Sequence, residues 1–155
     1  MMENVQQWKD EQSSLLEQKG EHLNAPDRTL MGIDFIKGAL GLMPEKIQDP
    51  IDWEEFKLNT AKLISELPPD YGRRDPMVKA YQKNLSLYKH YLTNKYNVVA
   101  KGHYIGIWLP LGISIGLPFG LIFKNLALGI PIGLSIGAAI GSYLNAKAQK
   151  ENRVI

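Results

Sequence analysis

The chain has 155 residues, a net charge of +2 and no cysteine. That length suits one modest domain or two small units. The charge is too small to point to nucleic acid, and the missing cysteine excludes disulfides, thiol catalysis and cysteine-held metals.

The first residues, MMENVQQWKDEQ, are polar and lack the apolar core of a signal peptide or the MG start of a myristoylation site. The expectation is that this end stays on the side where it is made. Residues 3–23 are expected to be helical, with Val5, Trp8, Leu15, Leu16 and Leu23 roughly on one face. Asn24-Ala25-Pro26-Asp27 reads as a break, with Asp27 as cap for a helix over 28–43. There Leu30, Ile33, Ile36 and Leu40 recur at helical spacing, while Asp34, Lys37 and three glycines weaken the run. It is too short and too charged to span a bilayer. Packing on neighbouring helices is the first reading, and lying at a membrane surface the alternative.

A helix over 53–67 follows. Asp52 is its expected N-cap, Glu55 completes a capping box, and Ile51 and Phe56 are spaced for a hydrophobic staple. Trp53, Phe56, Leu63, Ile64 and Leu67 line one face, and Pro68-Pro69 ends the helix. Residues 68–74 are a connector, whose Tyr71, Arg73 and Arg74 read as a solvated loop or as a contact to lipid phosphate. Asp75 then caps a helix over 76–100 with Pro76 at its first position. Val78, Tyr81, Leu85, Tyr88, Leu92 and Tyr96 form a sustained seam on it. The seam is a candidate partner-binding stripe, although packing against the 53–67 helix is the simpler use.

The remainder is different in kind. From Ile105 to Leu144 the only charged residue is Lys124, and nine of the chain's fourteen glycines follow residue 101. Residues 105–123 and 126–144 each match the length of a membrane-crossing helix, and Lys124-Asn125 is the break between them. Gly112, Gly116 and Gly120 mark one face of the first helix; Gly129, Gly133, Gly137 and Gly141 mark one face of the second. Rows of small residues let helices approach closely in lipid. Bulky rows lie beside them, Ile107, Leu111, Ile115 and Phe119 on one helix and Leu128, Ile132, Ile136 and Ile140 on the other. This surface suits pairing within one hairpin, between hairpins, or both. Pro110, Pro118 and Pro131 read as static kinks, or more sharply as hinges or an opened helix. Lys89, Lys95 and Lys101 precede the hairpin, and Lys147, Lys150 and Arg153 follow it. The positive-inside rule then places both termini in the cytoplasm and the tip outside, in the inner membrane.

The run LGIPIGLSIGAAIGSYLNAKAQKENR resembles the C-terminal part of small bacterial glycine-zipper membrane proteins. The resemblance covers about residues 104–153, rests on the seven glycines above, and implies a two-helix membrane hairpin with a basic tail. It supplies no catalytic residue, and residues 1–101 carry no such resemblance.

No cofactor or metal is expected: His22, His90 and His103 lie far apart, and no nucleotide or nucleophile motif is present. Glu54, Glu55 and Glu66 read as capping and a solvated face. The expected fold is all-α, a helical cytoplasmic region over 1–101 followed by a transmembrane hairpin over 102–155. The leading expectation is a non-enzymatic anchor, scaffold or accessory subunit. It would associate through its glycine-rich helices with the bilayer and with itself or a membrane complex. A pore-forming toxin, effector or holin-like protein is the alternative.

Overall fold

The computed structural model describes residues 2–69 and 75–155, so Tyr71, Arg73 and Arg74 lie outside the described residues. Seven helices account for most of it: α1 (Met2–Gly20), α2 (Ala25–Leu30), α3 (Ile33–Lys46), α4 (Pro50–Ser65), α5 (Pro76–Tyr96), α6 (His103–Ile122) and α7 (Leu126–Lys150). Among the described residues there is no strand, and a single isolated parallel bridge joins Val99 to Val154. The fold is all-α, as the sequence predicts. The chain divides into two compact units, the first running to Asn97 and including Ile155, the second from Val98 to Val154.

In the first unit α2, α4 and α5 start by one local rule. An Asn or Asp accepts hydrogen bonds from the first free amides, and a proline close behind it supplies a preset φ. Asn24 Oδ1 accepts from Asp27 N at 2.9 Å, and Asp75 Oδ1 accepts from Met77 N at 2.8 Å. Asp49 Oδ1 accepts from Ile51 N at 2.8 Å and Asp52 N at 3.1 Å. The cap of α4 is therefore Asp49 ahead of Pro50, not Asp52. Asp52 and Glu55 are instead the counter-ions of Lys95, at 2.8 and 2.6 Å. No staple forms, because Ile51 is exposed while Phe56 is wholly buried.

The helix expected over 28–43 is two helices. Gly32 adopts φ +69° between α2 and α3, a left-handed conformation that ends one helix and starts the next. Behind it α3 is the central helix of the unit, with Ile33, Phe35, Ile36, Ala39, Leu40 and Met43 buried. α5 ends at Tyr96 rather than near residue 100, because Asn97 turns left-handed and its amide closes the helix on Thr93 O at 2.9 Å.

The core of this unit joins Leu16 of α1, the buried face of α3, Phe56 and Ile64 of α4, and Val78, Tyr81, Leu85, Tyr88 and Leu92 of α5. Full burial of each large apolar side chain contributes about 1.5–3 kcal/mol. Buried hydroxyls are satisfied within it. Tyr81 donates to Met31 O at 3.0 Å, and Tyr88 and Thr60 share a hydrogen bond of 2.8 Å.

Candidate functional site

The second unit is a helical hairpin. Its tip is a three-residue turn, Phe123 to Asn125, built from backbone chemistry. Lys124 takes φ +51°, its amide bonds Leu121 O at 3.0 Å, and the Asn125 amide bonds Gly120 O at 2.8 Å. This is the paired closure of a Schellman turn. Asn125 then caps α7, its Oδ1 accepting from Ala127 N at 3.1 Å.

So short a turn lays α7 antiparallel against α6, and all seven glycines face the seam, each of them buried. A methyl group at Gly112 would collide with Gly133 O and lie 2.8 Å from Gly137 Cα. One at Gly116 would collide with Gly129 O and lie 2.8 Å from Gly133 Cα. Toward the tip, Gly120 and Gly129 face each other, a methyl at Gly129 lying 2.7 Å from Gly120 Cα. At the open end, Gly137 meets Trp108 O, and a methyl at Gly141 would lie 2.9 Å from Ile105 Cα. Backbone therefore touches backbone along the whole seam, with no room for a side chain.

Of the pairings the sequence allows, the one within a hairpin uses the glycine rows here, with all seven buried in the chain's own seam. The bulky rows do not interlock with the grooves. Ile107, Leu111, Ile115 and Phe119 of α6, and Leu128, Ile132 and Ile136 of α7, point outward and are exposed. A helix pair that turns its largest apolar residues outward suits lipid rather than water. α6 has 20 residues and α7 has 25. At 1.5 Å per residue they are about 30 and 38 Å long, enough for a hydrocarbon core of about 30 Å. Both qualify in length and apolarity as membrane-crossing helices.

Pro110 and Pro118 lie inside α6, and Pro131 lies inside α7, without interrupting either helix. None opens the backbone. One turn beyond two of them, a serine bonds back to the proline's own carbonyl: Ser114 Oγ to Pro110 O at 3.1 Å and Ser135 Oγ to Pro131 O at 2.8 Å. The pattern behind this is an internal repeat that glycine spacing alone does not reveal. Pro110-Leu-Gly-Ile-Ser-Ile-Gly116 recurs as Pro131-Ile-Gly-Leu-Ser-Ile-Gly137. Aligning the two spans by their prolines exposes it, and it gives both sides of the seam the same chemistry.

The other candidate surface, Val78, Tyr81, Leu85, Tyr88, Leu92 and Tyr96, is the inner face of α5. All but Tyr96 are buried, and Tyr96 bonds the Tyr91 hydroxyl at 3.3 Å. It is core, not a free docking stripe. Burial raises the Tyr88 and Tyr91 hydroxyls above the usual tyrosine range, and both remain neutral at physiological pH. The three histidines stay apart: His22 bonds Pro69 O, His90 bonds the Asn94 amide, and His103 lies edge-on to Tyr104. Among the described residues no group of three metal-binding side chains comes together.

Residues 100–147 match the family model described as glycine zipper membrane protein. The match covers the hairpin almost end to end and leaves the five-helix unit outside it. Comparison with curated proteins finds no match, and comparison with solved structures finds none.

Proposed function

We propose that this protein is a non-catalytic membrane anchor or accessory subunit, in which a closed hairpin holds the five-helix unit at the inner face of the inner membrane. The observation that carries this reading is the seam. Seven glycines are used to bring two apolar helices into backbone contact, and the bulky residues are turned outward. Dispersion contacts along such a seam hold helices together where lipid removes the hydrophobic driving force between them. Association with a second copy or a membrane complex then falls to the outward rows, not to the glycines. Lys101, Lys147, Lys150 and Arg153 flank the open end, and Lys124 is alone at the tip, which favours both termini in the cytoplasm.

The missing cysteine makes the topology directly measurable. In intact cells, Lys124→Cys should react with a membrane-impermeant maleimide, and Lys150→Cys should react only after permeabilisation. The reverse pattern overturns the orientation, and extraction of the chain by alkaline carbonate overturns the anchor. Depolarisation of the membrane on expression would favour a pore instead. The hydroxyls of Ser114 and Ser135, bonded to their own helices, supply no polar lining for one.

A further inference from the structure

A hairpin has one end closed by its turn and one end that nothing covalent closes. Here the turn fixes the Gly120–Gly129 end. At the other end the last glycine contact is Gly141 with Ile105, after which α7 runs on to Lys150. The chain then reverses. Asn152 takes φ +49°, its amide bonds Gln149 O at 3.1 Å, and the Arg153 amide bonds Ala148 O at 2.9 Å. This is a second Schellman turn, with asparagine in the left-handed position it tolerates.

The reversal brings Arg153 back to the start of α6 by two independent links. Its carbonyl accepts from Val99 N at 2.8 Å, beside the Val99–Val154 bridge. Its guanidinium donates to the Tyr104 hydroxyl at 3.3 Å, and is itself held by two bonds to Glu151 Oε2 at 2.7 and 2.5 Å. Val99 and Tyr104 lie on either side of Gly102, which turns the chain into α6 at φ +78°. One residue thus ties the end of α7 to both flanks of the beginning of α6. Arg153, Val154 and Val99 all lie outside the segment that matches the glycine-zipper family, which stops at residue 147. The tie is an addition to the matched hairpin.

We propose that residues 151–154 form a strap that keeps the open end of the hairpin shut against a helix from a second copy. The idea rests on the membrane-hairpin reading. With the strap in place, Gly137 and Gly141 stay covered by Trp108 and Ile105 of the same chain. With it removed, the base of the seam can part while the tip stays closed by its turn.

The test uses the full chain in lipid vesicles against a chain ending at Lys150 and against Arg153→Ala. Amide hydrogen exchange at residues 107–109 and 141–148 should rise by about tenfold or more in the shortened chain and by less in Arg153→Ala, which keeps the carbonyl link to Val99, with exchange around Gly116 and Gly129 unchanged. Ile105→Cys, the only thiol in each chain, should form inter-chain disulfides in the shortened chain and not in the full one. Unchanged exchange at the base overturns the strap, as does equal disulfide formation with and without residues 151–155. A rise that extends to the tip also overturns it, because the tail would then be needed for the hairpin to fold at all. Carbonate resistance of the same samples reads membrane insertion separately, so failure of the strap is not confused with failure of the anchor.

Discussion

Gly133 and Gly106 are both helical glycines of the hairpin, yet they make opposite demands on a side chain. A methyl at Gly133 would collide with Gly112 O and lie 2.9 Å from Gly116 Cα. The obstruction is backbone on the facing helix, so no side chain can rotate away and the helices themselves must part. A methyl at Gly106 meets nothing within 4 Å. Overpacking a close contact costs about 1–3 kcal/mol, whereas alanine is favoured over glycine within a helix by about 0.8–1.0 kcal/mol. Gly133→Ala should therefore destabilise the hairpin and Gly106→Ala should leave it unchanged or slightly more stable. Denaturation of the two variants side by side in detergent micelles measures the difference. Equal behaviour would mean that close approach at the seam contributes nothing.

At the scale of elements, Glu17 of α1 holds three helices in register. It pairs with Arg28 of α2 at 2.8 Å and with Lys37 of α3 at 2.7 Å. The Lys37 and Arg28 hydrogen bonds hold its carboxyl below the usual glutamate range. A carboxylate with a depressed folded pKa stabilises the fold above its unfolded pKa, and that stabilisation is lost as pH falls through the folded value. Glu17→Gln should accordingly flatten the acid limb of the unit's stability below about pH 4.5. The effect should be under about 1 kcal/mol, since the pair is partly exposed, and thermal melts of both chains between acidic and neutral pH measure it. The helices themselves were largely legible from sequence, their starts less so. Asp75-Pro76 announces α5 correctly, and the same grammar at Asp49-Pro50 competes with the capping-box spacing of Asp52 and Glu55. Those two carboxylates serve Lys95, a partner far along the chain that local spacing cannot show. Gly32 splits what periodicity reads as one helix, because a left-handed residue interrupts the backbone without disturbing the apolar spacing around it. The hairpin glycines were legible as a face but not as a register. Rows repeating every fourth residue look the same whether they meet their own chain or another.

For the molecule as a whole, the two units solve opposite burial problems. The first collects Leu16, Ile36, Leu40, Phe56, Ile64 and Tyr81 into one interior drawn from α1 to α5, with charges such as Asp52, Glu55 and Lys95 paired around it. The second hides glycines and displays isoleucine, leucine and phenylalanine. Water suits the first arrangement and lipid the second. The division implies that the first unit carries its own folding information. A chain ending at Asn97 should stay in the soluble fraction, retain its helical signal and unfold in one cooperative transition. The full chain should sediment with membranes under the same conditions. At roughly one hundred residues such a domain buries enough surface to be stable alone. Circular dichroism and sedimentation of the two chains decide the matter. A shortened chain that is helical but melts without cooperativity would show that the interior of the first unit depends on the hairpin, and the protein would then be one folding unit held at a membrane rather than a domain carried by an anchor.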